Sequence, residues 1–388
     1  MFVSLSNDLL ARFEPSNSLI YLLHRNELRT LPPGTSSYDI LRPRLPVVEW
    51  GQAFPAVPLN VQIQVTKGCN YECGFCYANS SKGAIGLDMP LQKLKWLTRY
   101  CFEWGVANIQ YVGGEPFFRK DFAEIVDYTA SFGLSQSIIT NGLIPGTSIK
   151  TWENVLKKFS KIQVSMNGVN AVYNKSIGGN LFEKFLIALA RVCKMNQNTW
   201  LSCVISEETA AQIEDILRVA RDVGAKGVRF GVLARTGRAS DADYSYFRKV
   251  LPQAERQLLE FGQKFPSVTI ESHFNPLLSQ SLMETHKSVT LKFRDEAHSV
   301  LFVDKDGNAF PFPLLGLNTF RLGNVFTDDV MEMWRTHPVL MEMRNPENLA
   351  PECKNCPTPC SLSSRSIALL WTGDIRKKVP CSRFNYQA

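Results

Sequence analysis

Between residues 61 and 264 two patterns of apolar positions alternate along the chain. Short runs rich in β-branched residues, at 61–65, 109–112, 136–140, 162–166, 200–205 and 228–232, read as strands. Between them, stretches at 91–104, 121–132, 151–159, 180–195 and 209–223 carry apolar residues every three or four positions and predict amphipathic helices, with a sixth at 243–264. Six strands alternating with helices predict parallel βα units with right-handed crossovers, an α/β chain closing or partly closing into a (β/α)6 barrel. Ahead of this region, 19–25 and 28–31 flank Asn26-Glu27 and predict a hairpin, and the proline-rich stretch 32–58 leads into the first barrel strand. After the barrel, 300–303, the turn 304–308 and 309–310 predict a second hairpin that opens a cysteine-bearing part. The expected division is 1–58 for the N-terminal hairpin and linker, 59–265 for the barrel core and 266–388 for the C-terminal domain.

Composition narrows the class. The 388 residues carry 43 Lys plus Arg against 36 Asp plus Glu, a net charge of +7. That is too little to require nucleic acid, and no dense basic tract with interleaved aromatics is present, so neither nucleic acid nor a membrane is an expected partner. The longest apolar runs fall far short of the roughly 20 residues of a membrane span. Ten cysteines are too sparse for a disulfide scaffold, and Met1-Phe2-Val3-Ser4-Leu5-Ser6-Asn7-Asp8 lacks a basic flank, so a cytoplasmic protein with thiols as ligands is expected. Three cysteines stand apart in apolar settings, Cys101, Cys193 and Cys203, and read as core.

Cys69-x3-Cys73-x2-Cys76 places three thiolates within eight residues just after the first barrel strand. Three ligands on a short loop can hold three irons of a cubane and leave the fourth open to a substrate or cofactor, whereas a structural zinc would need a fourth ligand from afar. Phe75, just before the last cysteine, is placed to pack against such a ligand. Gly113-Gly114-Glu115-Pro116 follows the second strand, where glycines let backbone approach a ligand and the carboxylate accepts from an ammonium group. Thr140-Asn141-Gly142 and Ser165-Met166-Asn167-Gly168 end the third and fourth strands, leaving small polar groups at the C-terminal face where barrel active sites lie.

The loop Lys67-Gly68-Cys69-Asn70-Tyr71-Glu72-Cys73-Gly74-Phe75-Cys76-Tyr77 resembles the cluster loop of radical S-adenosylmethionine (SAM) enzymes. The resemblance implies a partial (β/α)6 barrel and a 4Fe-4S cluster at Cys69, Cys73 and Cys76 whose open iron binds the methionyl amine and carboxylate. One electron then cleaves the sulfonium to methionine and a 5'-deoxyadenosyl radical. It also implies cofactor contacts from Phe75, Gly113, Gly114, Glu115, Pro116, Asn141, Ser165 and Asn167. The chain departs from the common pattern at Asn167, where many relatives carry Asp, and at Ile177, where they carry Arg. The carboxylate then needs another cation, Lys175 or Arg229, and Arg229 serves equally well as a structural ion pair. The turn Arg235-Thr236-Gly237-Arg238-Ala239 resembles a family turn after the sixth strand and receives no chemistry. No catalytic acid or base is assigned; Tyr77, Tyr111, Glu115 and His273 are candidates for lying near the mouth.

A second group, Cys353, Cys356, Cys360 and Cys381, supplies four soft ligands among prolines, which suit a structural zinc or a fully ligated iron-sulfur cluster alike. Phe320-Arg321-Leu322-Gly323-Asn324-Val325 with Met333-Trp334 resembles the auxiliary-cluster extension known as the SPASM or Twitch domain. The full pattern has seven cysteines. Three of those positions read here as Phe310-Pro311-Phe312-Pro313, Phe326-Thr327-Asp328 and Ser364, so one auxiliary 4Fe-4S cluster is implied, to relay an electron or to brace the fold. The implied activity is post-translational modification of a ribosomally made peptide by crosslinking, epimerisation or dehydrogenation, with flavodoxin or ferredoxin as electron donor and a separate peptide-recognition protein as a further partner. The alternative is dehydrogenation or rearrangement of a small metabolite, for which Arg229, Arg235 and Arg238 are candidate phosphate ligands. A non-catalytic iron-sulfur carrier would have no need of the Gly113-Gly114-Glu115-Pro116 site.

Overall fold

A computed structural model describes residues 3–6, 9–14, 19–24, 27–31, 57–144, 149–243, 245–272, 297–316, 320–354 and 365–379. At the N-terminus β1 (Val3–Ser6), β2 (Leu9–Glu14), β3 (Leu19–His24) and β4 (Glu27–Leu31) form an antiparallel sheet in sequence order. The expected hairpin is its second half, with Ile20 opposite Leu31 and Leu23 opposite Leu28. The first half escaped the sequence reading because Val3–Ser6 is only four residues long and Leu9–Glu14, Leu-Leu-Ala-Arg-Phe-Glu, carries no β-branched residue.

The six expected barrel strands are β5 (Asn60–Thr66), β6 (Asn108–Gly113), β7 (Ser135–Thr140), β8 (Lys161–Ser165), β9 (Thr199–Val204) and β10 (Gly227–Gly231), each parallel to the next. Two further strands extend this sheet. β11 (Thr269–Ser272) pairs in parallel beyond β10, and β12 (Val300–Val303) pairs in parallel with β5 on the other side. β13 (Asn308–Phe310) and β14 (Gly323–Asn324) then add antiparallel strands, giving a ten-stranded sheet. The second hairpin therefore forms as expected, but its first strand lies on the barrel sheet. All four of its residues, Val-Leu-Phe-Val, are buried, as a strand covered on both faces requires.

The expected helices are Leu91–Trp104, Phe122–Ser131, Ile149–Lys157, Phe182–Met195, Ile213–Asp222 and Ser245–Gly262. Their apolar stripes cover one face of the sheet, where Ile63, Ile109, Ile138, Ile162, Val164, Leu201, Val228 and Phe230 pack against residues such as Leu94, Leu97, Ile125, Leu189, Ile216 and Leu217. Cys101, Cys193 and Cys203 are buried in this core, as expected. Tyr111 is buried there too: its hydroxyl meets Thr129 Oγ1 at 2.5 Å and its ring stands edge-on to Phe122. It does not lie at the mouth, because on a strand alternation decides the face and Tyr111 falls in phase with Ile109.

The opposite, inner face is polar. Alternation gives it Gln62 and Gln64 from β5, Asn108 and Gln110 from β6, Ser135 and Ser137 from β7, and Gln163 from β8. Asn108 Nδ2 donates to Asn60 Oδ1 at 2.8 Å and to Ser137 Oγ at 3.0 Å. Near the hairpin the polarity ends in a small apolar cluster of Val112, Phe302 and Phe310, with Ile139 against it. The C-terminal helix Arg365–Thr372 is tied to the barrel by Trp371, whose Nε1 donates to Leu233 O at 3.1 Å and whose ring packs on Tyr246 and Phe247. Two buried arginines clasp the connecting chain: Arg344 donates to Ala297 O and Trp334 O, and Arg365 to Asn345 O and Asn348 O. Among the described residues no helix is long and apolar enough to cross a membrane.

Candidate active site

The cysteine loop connects β5 to the helix Leu91–Trp104 and is fixed at its base by Arg119. That side chain is 3% exposed. Its Nη1 donates to Val65 O at 2.7 Å and Met89 O at 2.6 Å, so one guanidinium joins the two ends of the loop, while Asp121 neutralises it at 2.8 Å. Inside the loop, Gly68 N donates to Thr66 Oγ1 and Cys69 N to Ser81 O. The middle rests on the helix Asn170–Ile177: Tyr71 and Tyr173 share a buried hydroxyl contact of 3.1 Å, and Glu72 N donates to Ile177 O at 3.3 Å. At the far end Arg238 N donates to Cys76 O, Nε to Cys73 O and Nη1 to Ser80 O.

The thiols lie close enough to affect one another. Burial pushes the Cys69 thiol up to about 11, with the charges of Glu115 and Cys76 adding to it. Burial, Cys76 and Cys69 push Cys73 up to about 12 against Arg238. Thiols in such a setting resist ionisation alone and accept it when metal supplies positive charge, so the donor set fits an iron-sulfur centre. Cys69 Sγ also accepts from Tyr71 N at 3.4 Å, a hydrogen bond that favours the thiolate. Among the described residues no three His, Cys, Asp or Glu side chains form a group that could hold one metal ion. A cubane takes each cysteine on a different iron.

Gly113-Gly114-Glu115-Pro116 lies directly against this loop. A Cβ on Gly114 would sit 2.0 Å from Gly68 O, Gly114 N donates to Thr66 O, and Glu115 N donates to Gly68 O. The glycines expected to admit a ligand thus admit the backbone of the cysteine loop. The Glu115 carboxylate is fully buried and already accepts from Phe117 N (3.2 Å), Thr140 Oγ1 (2.8 Å) and Asn141 N (2.6 Å). Burial pushes its carboxyl up to about 7 while these three donors hold it down. With three of about four lone-pair directions used, one remains for an ammonium group. Pro116 is buried at the start of the following turn, Pro116–Phe118. Asn141 joins the same hub, its Nδ2 donating to Asn70 Oδ1 at 2.6 Å.

Ser165 ends β8 half-buried and opens a row across the inner face. The register sets Ser165 beside Ser202, Ser202 beside Arg229 and Arg229 beside Glu271. Arg229 is thus placed at the strand ends, and Ser202 and Glu271 join it; alternation on β9 and β11 was the signal that could have found them. Asn167 is buried and braces two strand ends, its Oδ1 accepting from Val204 N at 2.7 Å. Lys175 lies away from the site: its side chain is 76% exposed and bonds Glu208 at 2.8 Å. Phe75 and Tyr77 are half-buried within the loop. His273, Cys356, Cys360 and Cys381 lie outside the described residues, and Cys353 is half-buried on the short helix Pro351–Lys354. Of the positions where the SPASM pattern has other cysteines, Phe310 is buried against Phe302, and Phe326 packs on Trp96 beneath Lys93.

Residues 63–220 match the family model described as Radical SAM superfamily, so this part of the chain is a radical SAM domain. It is 23% identical over 351 residues to the AdoMet-dependent heme synthase of Methanosarcina barkeri, covering 84% of this chain and 97% of that one. It is 24% identical over 308 residues to the mycofactocin maturase MftC of Mycobacterium tuberculosis, covering 77% and 75%. In structure it is similar to SuiB of Streptococcus suis bound to S-adenosylmethionine, with a TM-score of 0.68 at 14% identity over 92% of this chain and 93% of that one. SuiB is also solved bound to the precursor peptide SuiA. A radical SAM domain implies a 4Fe-4S cluster and S-adenosylmethionine.

Proposed function

We propose that this enzyme modifies a ribosomally made peptide, abstracting hydrogen from one of its C–H bonds in a crosslinking, epimerisation or dehydrogenation. The observation that carries this reading is the chemistry of the inner face. Gln62, Gln64, Gln110, Gln163, Ser137, Ser165 and Ser202 offer amides and hydroxyls, which suit the donors and acceptors of a peptide backbone. A phosphate-bearing metabolite would ask for clustered arginines, yet Arg235 donates to Ser240 O and Arg238 to Cys73 O and Ser80 O. Maturases among the relatives point the same way.

Cys69, Cys73 and Cys76 would hold the cluster, with Glu115, Asn141, Ser165 and Arg229 around the cofactor. When bound, the pair supplies the deoxyadenosyl radical that takes the substrate hydrogen. The protein's own part is to hold one C–H bond in reach and keep water out. Arg119 and the Tyr71–Tyr173 contact fix the loop, Glu115 joins that loop to the end of β7, and the row from Ser165 to Glu271 orients what lies at the mouth. We further propose one auxiliary 4Fe-4S cluster at Cys353, Cys356, Cys360 and Cys381 as an electron relay, the other SPASM site being filled by Phe310 and Phe326. The barrel core at 59–265 and the C-terminal domain at 266–388 would then carry one cluster each, with flavodoxin or ferredoxin as donor and a separate protein presenting the peptide. The match to heme synthase over most of both chains favours a second reading, oxidation or rearrangement of a small metabolite in cofactor or antibiotic biosynthesis.

The test is anaerobic turnover with dithionite and S-adenosylmethionine against short peptides encoded beside the gene. Deoxyadenosine formation that rises with one peptide and a matching mass change in it supports the reading. Deoxyadenosine that rises only with a small-molecule fraction overturns it in favour of the second.

A further inference from the structure

The turn after β10 carries Arg238, which the sequence offered only as a candidate phosphate ligand. Arg238 reaches across from the barrel's far strand to the cysteine loop and bonds three of its carbonyls: Cys76 O through its own N–H at 3.1 Å, Cys73 O through Nε at 2.6 Å and Ser80 O through Nη1 at 2.9 Å. Two of these carbonyls belong to ligand cysteines, so any shift of those peptides carries the adjoining Cα–Cβ bonds and their sulfurs with it. The turn is shaped for the contact. Gly237 has φ +60, and a Cβ there would lie 2.2 Å from Cys76 O and 2.7 Å from Tyr77 Cα. The turn is held in its own right, Ala239 N donating to Thr236 O and Arg235 Nε to Ser240 O.

We propose that Arg238 is a positioning residue for the cluster: its guanidinium clasps the loop at Cys73 O and Ser80 O, on either side of Cys76, setting how firmly iron is retained and the potential at which the cluster is reduced. Both effects follow from elementary physics. Outer-shell partners that orient ligands typically govern metal retention by 10- to 100-fold. A fixed positive charge beside the centre favours its reduced, more negative state, and cluster potentials respond to net charge and hydrogen bonding. The inference rests on the cysteine loop holding a cluster, which wild-type iron content tests separately.

The experiment compares full-length wild type, Arg238→Gln and Arg238→Lys after anaerobic reconstitution. Iron release to a chelator and an EPR-monitored redox titration of the signal that changes on adding S-adenosylmethionine are the two readouts. Arg238→Gln is expected to release iron about tenfold faster or more and to move the potential to more negative values. Arg238→Lys keeps the charge and loses the fork, so it should restore the potential while releasing iron nearly as fast. Native release and native potential in Arg238→Gln, or a potential as low in Arg238→Lys as in Arg238→Gln, overturns the proposal. A wild type without iron at Cys69, Cys73 and Cys76 overturns it together with the reading beneath it. Should Arg238→Gln fail to fold, Arg238→Lys alone decides: native release from it refutes the clasp.

Discussion

Glu115 shows how one side chain can serve the fold and the site together. Its two oxygens accept from Phe117 N, Thr140 Oγ1 and Asn141 N in a place without solvent, and its own N–H holds Gly68 O. Removing the carboxylate orphans three buried donors, each costing about 1–3 kcal/mol. Glu115→Ala should therefore lower stability by about 3 kcal/mol or more even without cofactor, and Glu115→Gln, which keeps one oxygen, by roughly half as much. Urea unfolding of the cluster-free protein measures this, and midpoints equal to wild type would show that Glu115 has no structural part. The residue types at this site were legible because cysteine spacing and a Gly-Gly-Glu-Pro turn are local signals. Their partners were not. Arg119 and Arg238 meet the loop only through tertiary contact, and nothing in the letters around Arg238 says that Cys73 O lies beside it. Lys175 was a reasonable cation by sequence distance, but its helix turns it toward Glu208 and solvent.

At the scale of elements, the helix Asn170–Ile177 is the piece whose absence from the sequence reading matters most. Its run Asn-Ala-Val-Tyr-Asn-Lys-Ser-Ile is short and mixes β-branched residues with Asn and Ser, so propensity gives it little support. Only Tyr173 and Ile177 are buried, too few to show a stripe. Tertiary packing makes the helix: Tyr173 stacks on Phe185 at 4.6 Å and meets Tyr71 through its hydroxyl. The longer helices were legible because each carries an apolar stripe across several turns. From this packing, Tyr173→Phe should cost about 1 kcal/mol, the worth of one hydrogen bond, and Tyr173→Ala about 3–5 kcal/mol through the cavity as well. In hydrogen exchange the amide of Glu72 should lose protection in Tyr173→Ala and keep most of it in Tyr173→Phe. Equal protection in both variants would mean that the loop holds its shape without the helix.

Across the whole molecule, a continuous sheet joins what the sequence divides. Turn chemistry at Asp306-Gly307 announced the second hairpin, but a parallel pairing between residues 60–63 and 300–303 spans more than half the chain, and no local pattern encodes so distant a neighbour. Trp371 adds a second tie, from the last described helix back to the end of β10. The barrel and the cysteine-bearing end are thus mechanically one body at these contacts, while their proposed clusters use separate ligands. Iron content can separate the two sites. Two 4Fe-4S clusters amount to about eight irons per chain. A Cys69→Ala/Cys73→Ala/Cys76→Ala variant should retain about four and form no deoxyadenosine, and Cys353→Ala should also fall to about four, yet still cleave S-adenosylmethionine. If Cys353→Ala instead keeps every iron and releases zinc, the C-terminal cysteines are a structural staple and the electron-relay role falls. Retention of the first cluster in Cys353→Ala follows from the loop's own anchors, Arg119, Tyr173 and Arg238, all of which belong to the barrel.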